Sequence, residues 1–490
     1  MKKTKSEVWR WFLVAVVLCV AFLTFVQTAN FPFVPFTDAI CFLPQAVKFA
    51  QGDGLRNVYQ FHYLPDGAYV WHGFLMPMVL GGLFKTDTYI KVTFALALLN
   101  STNILLLAAA LFRLTTRWSE ISRFLLITLC LLVQAGFLQG VLGRPETLVS
   151  MFISAGLLAW SCKPGFVVYT ALGGLIGLLA VTSPAPGVYA AGCLGIGLLV
   201  REDRPLAILK IGGIMLVAGL FAIFLSFCFY PYNLEQWIWG LQQHAKAVVP
   251  DSAPALAPNL ILRRFFISTG RFAMGLVFIC AWAISLQFVW QLRKTRQGIC
   301  YLLCVGLLLI GFALFRMAYM GHFYYMLCLF PIAAASASSL LELRGDSLRR
   351  VMLTFMFAAL GLSSLDPILL QSGRFLGYSS LQLPEARRLF EQDFKEMLGK
   401  IAVSMDLAAL SDETERLQVL YDYVPPCKEP DADWLVIQQH CFFYSAPPTF
   451  TNFKLVKNRF AQVQKLPGRL SQWFGVNGYG YAIYRRVFDG

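Results

Sequence analysis

Eleven apolar stretches recur along this chain, most of them long enough to cross a lipid bilayer as a helix, and that repeated demand leaves few folds open. They run from about Trp11 to Thr28, Thr88 to Phe112, Phe124 to Leu142, Leu148 to Ser161, Phe166 to Val181, Gly187 to Val200, Ile208 to Tyr230, Phe272 to Leu292, Ile299 to Phe315, Phe323 to Leu341 and Val351 to Leu370. Spanning the hydrocarbon takes roughly 20 apolar residues, so the fourth, fifth and sixth stretches are the short ones. The chain is 57% hydrophobic and 14% charged, with a mean hydropathy of +0.61. That is too apolar for a soluble globular fold, and a polytopic α-helical membrane protein is expected.

A formal net charge of +14 raises nucleic acid as a partner, but no basic stripe stands alone in a soluble module. Placement gives the charge another use. With the N-terminus inside, the short cytoplasmic connections hold 17 basic residues, among them Lys2, Lys3, Arg113, Arg123, Lys163, Arg201, Arg293 and Arg349; the longer opposite side holds 10 up to Gln371. This excess supports eleven spans with a cytoplasmic N-terminus, which puts the C-terminal tail outside. The opening MKKTK resembles a signal peptide, but the apolar core behind it is too long and no small-residue cleavage site precedes Phe31. An uncleaved anchor is expected.

Two regions on the outer side are large enough for chemistry: the loop 30–87 and the tail 372–490. The chain therefore divides into a membrane domain, 1–371, and an extracytoplasmic domain, 372–490. In the tail, Leu389, Phe390, Phe394 and Met397 share one side of a helix over Pro384 to Leu398. Strand-like runs follow at Lys400 to Met405, Trp434 to Gln438 and Tyr479 to Arg486, predicting a small α/β domain. Nothing in it has nucleophile–base or metal-ligand spacing. Nine of the 12 cysteines fall in or beside apolar stretches, while Cys427 and Cys441 share the tail, where an oxidising compartment permits a disulfide.

The outer loop opens with FTDAICFLPQAVKFAQGDGL, Phe36 to Leu55. Thr37 and Asp38 suit a helix start, and Asp53-Gly54 ends the run with a turn. Ala39, Phe42, Leu43, Ala46, Phe49 and Ala50 make one apolar face, as in a helix lying on the membrane surface, with Pro44 kinking or restarting it. A second short apolar piece, Gly73 to Phe84, follows Trp71 and His72. Two interfacial helices holding Asp38, His62, Asp66 and His72 near the bilayer surface are expected.

The order of these features is informative. The first span is followed shortly by Asp38, a helix ending in GDGL, the segment Trp71-His72-Gly73 with Leu75 and Pro77, and then the second span. Further on come GRPE, Gly143 to Glu146, after the third span, and GHFYYMLCLFP, Gly321 to Pro331. This layout resembles the GT-C glycosyltransferases, integral membrane enzymes that take sugars from polyprenyl-phosphate carriers. Protein O-mannosyltransferases and the lipid A aminoarabinose transferase belong to the class.

The resemblance implies transfer of a monosaccharide from a polyprenyl-phosphate donor to a lipid, glycan or protein acceptor at the outer face of the membrane; the opening MKK and the absence of an outward-facing Asn-x-Ser/Thr site favour a bacterial inner membrane. Membrane lipids, and no nucleic acid, are the other partners. Asp38 is the implied base, taking the acceptor's proton as it attacks the anomeric carbon with inversion. Arg144, Arg316, His322, Arg263 and Arg264 are candidates for the leaving phosphate, with Glu146, His72 and Asp53 as secondary acidic or polar groups. The family's commoner first loop has two adjacent acidic residues, whereas Asp38 is followed by Ala39; a divalent metal is left open as cofactor.

Plainer readings stand beside these. Asp38 can be a helix-start charge, Arg144 with Glu146 an ion pair at a helix end, Arg316 a snorkelling side chain, and Arg263 and Arg264 anchors on anionic headgroups. A transporter or flippase of a lipid-linked saccharide also fits many spans, with Arg144, Glu146 and Asp366 along a pathway. So does an O-antigen polymerase or ligase working through basic residues.

Overall fold

The computed structural model describes residues 2–30, 42–56, 69–70, 73–116, 118–140, 143–183, 204–248, 383–404, 416–420, 431–438, 452–459 and 481–487, with isolated positions at 187, 191–192, 202, 299 and 407. The sixth apolar stretch falls largely outside these residues, and the last four fall outside but for position 299, as do Asp38, His62, Asp66, His72, Arg263, Arg264, Arg316, His322, Cys427 and Cys441.

Helix α1, Lys2–Asn30, opens the chain, and α4, Tyr89–Leu114, packs against it. Then come α5, Glu120–Gly140, α6, Glu146–Trp160, α7, Phe166–Thr182, and α8, Pro205–Phe229. Within them, Glu7–Ala29, Ile90–Leu114, Glu120–Gln139 and Pro205–Phe229 are long and apolar enough to cross a membrane by length and composition. The intervening α6 and α7 have 15 and 17 residues. At 1.5 Å per residue they reach about 22–26 Å, short of a hydrocarbon core of roughly 30 Å. These helices fit the sequence expectation closely, α7 differing from the predicted span by one residue at its end.

The pairing of α7 with α8 depends on missing side chains. A Cβ on Gly173 would lie 2.2 Å from the Met215 carbonyl oxygen, and one on Gly177 2.3 Å from that of Gly219. The two backbones touch directly, as small residues allow helices to do where lipid offers no hydrophobic drive.

The first outer loop differs from expectation. Its described helix, α2, is Leu43–Gln51, with Pro44 in the first turn and Gly52 as a left-handed C-cap at φ 94°. Pro44 thus starts this helix, a position where its missing N–H has no helical partner to lose. The apolar side of α2 is covered by protein. Leu43, Ala46 and Val47 are buried against the chain's own segment α3, Leu75–Met78, and the π-helical turn Val79–Leu83 that continues it. Gly81 permits the contact, since a Cβ there would fall 2.5 Å from the Ala46 carbonyl oxygen. Two short helical segments are present, as expected, and they pack against each other.

After α8 the chain turns at Tyr230 into α9, Leu234–Val248. Asn233 and Gln236 cap it reciprocally: Gln236 N–H donates to Asn233 Oδ1 at 2.8 Å and Asn233 N–H to Gln236 Oε1 at 3.0 Å.

The tail is α/β, as predicted. Helix α10, Leu383–Glu396, lies beside a five-stranded sheet of order β2-β1-β3-β5-β4. The strands are β1 Ile401–Ser404, β2 Leu417–Leu420, β3 Trp434–Gln438, β4 Phe453–Asn458 and β5 Tyr481–Arg486. Strand β1 runs parallel to β2 and β3, and β5 antiparallel to β3 and β4. Leu389, Phe390, Phe394 and Met397 are all buried, the face expected from their spacing. The Phe390 and Tyr481 rings meet edge-on with centroids 5.6 Å apart.

Candidate functional site

The turn GRPE between α5 and α6 is the most constrained feature of the bundle. Gly143 takes φ 77°, open to glycine at little cost, and reverses the chain after α5. Pro145 then presets the start of α6, and Glu146 occupies its first turn, where the helix dipole favours a carboxylate. Arg144 folds back on that carboxylate: Nε donates to Glu146 Oε2 at 3.0 Å and an Nη to Oε1 at 3.4 Å. The side chains are 1% and 0% exposed. A buried pair of this kind compensates the desolvation of each charge by the other, and losing either partner strands the second.

The first outer loop closes on this turn. A Cβ on Gly73, at φ 73°, would fall 2.2 Å from Pro145 Cγ and 3.3 Å from the Phe42 ring. Gly73 is therefore wedged between Pro145 and Phe42, and no larger residue fits. Phe42 lies four residues after Asp38, and Gly73 directly follows His72. Asp38 and His72 themselves lie outside the described residues.

The α8–α9 corner clamps the same loop from another direction. Tyr232 Oη donates to the Leu55 carbonyl at 2.9 Å and Tyr230 Oη to that of Tyr69 at 2.5 Å. Phe74 stacks on Tyr230 with centroids 4.0 Å apart and meets Trp237 edge-on at 6.1 Å. Gly240 brings α9 against the Val70 backbone, so close that a Cβ would overlap the Val70 carbonyl oxygen. The segments 42–55, 69–70, 73–74, 143–146 and 230–240 thus form one packed unit.

Of the proposed site residues, Arg144 and Glu146 come together within this unit. Asp53 sits in the turn after α2, half-exposed, and pairs with Lys48 at 3.3 Å. Arg316, His322, Arg263 and Arg264 lie outside the described residues. Among the described residues no group of three His, Cys, Asp or Glu side chains could hold a metal ion.

A second polar cluster, not anticipated from sequence, organises the tail. Asp393 on α10 is 1% exposed. It accepts from Arg459 Nε at 2.9 Å and Nη at 2.7 Å, from Lys457 Nζ at 2.6 Å and from Tyr481 Oη at 2.8 Å. Burial alone would push the Asp393 carboxyl up, but the hydrogen bonds from Arg459, Lys457 and Tyr481 outweigh it and hold it below its ordinary value. The same bond to Asp393 raises Lys457. Every acceptor site of the carboxylate is used, and the cluster ties α10 to β4 and β5.

No family model matches this sequence, and no curated protein does. Solved structures of the oligosaccharyltransferase of Archaeoglobus fulgidus are similar to it. The apo form aligns at 12% identity over 83% of this chain and 64% of that one, with a TM-score of 0.46. The form with zinc and sulfate aligns at 13% over 82% and 62%, with a TM-score of 0.41. A third, tethered through a disulfide to an acceptor peptide containing the NVT sequon, aligns at 11% over 83% and 64%, with a TM-score of 0.45. This chain thus spans less than two thirds of that enzyme's length, and a likeness this loose carries no argument about function.

Proposed function

We propose that this protein is a membrane glycosyltransferase of the GT-C type, moving a monosaccharide from a polyprenyl-phosphate carrier to an acceptor on the extracytoplasmic side. One observation carries the reading. Gly73, next after His72, is wedged between the Phe42 ring, four residues after Asp38, and Pro145 of the turn that holds the buried Arg144–Glu146 pair, which supports a base and a phosphate ligand drawn from distant parts of the sequence.

In this reading Asp38 accepts the proton of an acceptor hydroxyl or amine while that oxygen or nitrogen bonds to the anomeric carbon. The bond from that carbon to the phosphate oxygen breaks on the opposite face, inverting the centre, and the electron pair leaves with the lipid phosphate. Glu146 fixes the plane of the Arg144 guanidinium, and a preorganised cation stabilises a developing phosphate charge without reorganising. Arg316, His322, Arg263 and Arg264 supply further positive charge from other outer loops. The donor's lipid tail remains among the helices, which accounts for a site at the membrane's edge.

Removing a positioned general base costs about 10²–10⁴-fold in rate. Asp38→Asn should lower transfer from a polyprenyl-phosphate sugar by that factor in purified protein, with unfolding temperature unchanged. A transporter or flippase would lose little by the same change, so unimpaired lipid movement with no transferase activity in either protein would replace this reading. The orientation is tested separately: Lys163→Cys should react with a membrane-impermeant thiol reagent from the cytoplasmic side, and labelling from outside would reverse the topology.

A further inference from the structure

Four helices of the bundle bury a run of uncharged polar side chains. Thr28 accepts from Asn100 Nδ2 at 3.1 Å and from Gln139 Nε2 at 2.9 Å, joining α1 to α4 and α5. Gln134 Nε2 on α5 donates to Ser150 Oγ on α6 at 2.5 Å, and Ser154 Oγ donates to Asn103 Oδ1 on α4 at 2.9 Å. Thr147, Ser150 and Ser154 stand at spacings of three and four on α6, so they share one side. The row begins beside Glu146 and descends about 12 Å from it to Ser154.

These bonds satisfy only part of what is buried. Gln27 Oε1, Asn100 Oδ1, Asn103 Nδ2, Gln134 Oε1 and Thr147 Oγ1 have no hydrogen-bond partner among the described residues. Each belongs to a residue no more than 8% exposed. An unsatisfied polar group costs several kcal/mol in an apolar medium, so five in one bundle call for a common ligand. The ligand must both donate and accept, because three amide oxygens and one amide N–H are unfilled, and it must be small, because the residues are closed to solvent. Water meets both conditions and binds buried polar groups in this way.

The geometry points to a file of water molecules between α1, α4, α5 and α6, entering at the end of the bundle that carries the Arg144–Glu146 turn and reaching Ser154. The waters donate to Gln27, Asn100 and Gln134, accept from Asn103, and bond the Thr147 hydroxyl. They give the buried ion pair a polar floor. The seam does not depend on which reaction the site performs.

Two measurements test it. Ser150→Cys and Ser154→Cys, both nearly isosteric, are read by X-ray hydroxyl-radical footprinting, in which bound water itself supplies the radical, with peptide-resolved mass spectrometry against Val149→Cys, which is equally buried and turned about 100–140° away around α6. Both should react at least tenfold faster than the control. Thr147→Val, which removes a hydroxyl with no protein partner, should lower the unfolding temperature because it strips a water of one of its bonds. Ser154→Cys reacting no faster than Val149→Cys, or a Thr147→Val protein as stable as the parent or more so, overturns the proposal.

Discussion

The membrane bundle and the tail each bury a carboxylate against arginine, and they do so on opposite scales. Glu146 meets Arg144 two residues away, across a single turn, with both side chains at most 1% exposed. Asp393 is equally buried, but it draws Lys457, Arg459 and Tyr481 from 64, 66 and 88 residues away. The first cluster shapes a turn against which a loop can pack; the second fastens a helix to a hairpin and thereby closes a domain. Their cations also differ. The Arg144 side chain is 1% exposed, whereas the Lys457 and Arg459 side chains are 32% and 12% exposed. Removal of the acid therefore strands a charge fully in one case and only partly in the other.

Glu146→Gln should have the larger consequence, about 3–5 kcal/mol of bundle stability, the usual loss when a buried pair is broken. Thermal unfolding in detergent measures it, and a loss under about 1 kcal/mol would mean that solvent reaches Arg144. Asp393→Asn should cost about 2 kcal/mol, at the low end for a buried charge-assisted network because its cations can rehydrate. Denaturant unfolding followed by Trp434 fluorescence reports on the tail. The same variant tests the pH dependence. Asp393 ionises at a lower pH in the folded protein than in the unfolded chain. Its contribution is thus present above the unfolded value, near 4, and is lost as pH falls through the lowered one. Acid unfolding of the tail should become shallower in Asp393→Asn; an unchanged profile would remove the cluster from that role. Asp53→Asn should have the smallest effect, below about 1 kcal/mol, because its carboxylate is half-exposed and already solvated beside Lys48. A transfer rate that fell with it nonetheless would place Asp53 among the reacting groups.

What could be read from the sequence follows the same division between near and far. The Arg144–Glu146 turn was legible because its parts are adjacent and its glycine and proline mark the reversal. The spans were legible because an apolar run states its own environment. In the tail, β1, β3 and β5 were expected, and they are the three interior strands of the sheet; β2 and β4 were not, and they are its two edges. An edge strand has less need to alternate or to be apolar: in β4, Lys454, Leu455 and Val456 are all exposed. The Asp393 cluster left no local signal, since each member looks like an ordinary surface charge until the fold brings the others to it. The apolar face of α2 was recognised, but periodicity cannot tell lipid from protein as the surface that covers it, and the covering segment lies some thirty residues on. Asn100 and Asn103 are amides within an apolar run, and only the positions of α1 and α6 reveal what they meet.

The bare contact between α7 and α8 bears on the outer loop, although neither glycine row touches it. Tyr230 and the α9 corner are carried on the end of α8, about 16 Å along the axis from Gly219, and they grip the loop at Leu55, Tyr69 and Val70. Because Gly177 meets the Gly219 backbone directly, the closest approach of α8 to α7 is set by backbone and not by the rotamers of the side chains around it. The loop thus inherits a fixed distance from a joint that contains no functional group. An added methyl at Gly177 would act like a shim under a lever, displacing the clamp at the far end while leaving every residue of the outer loop intact.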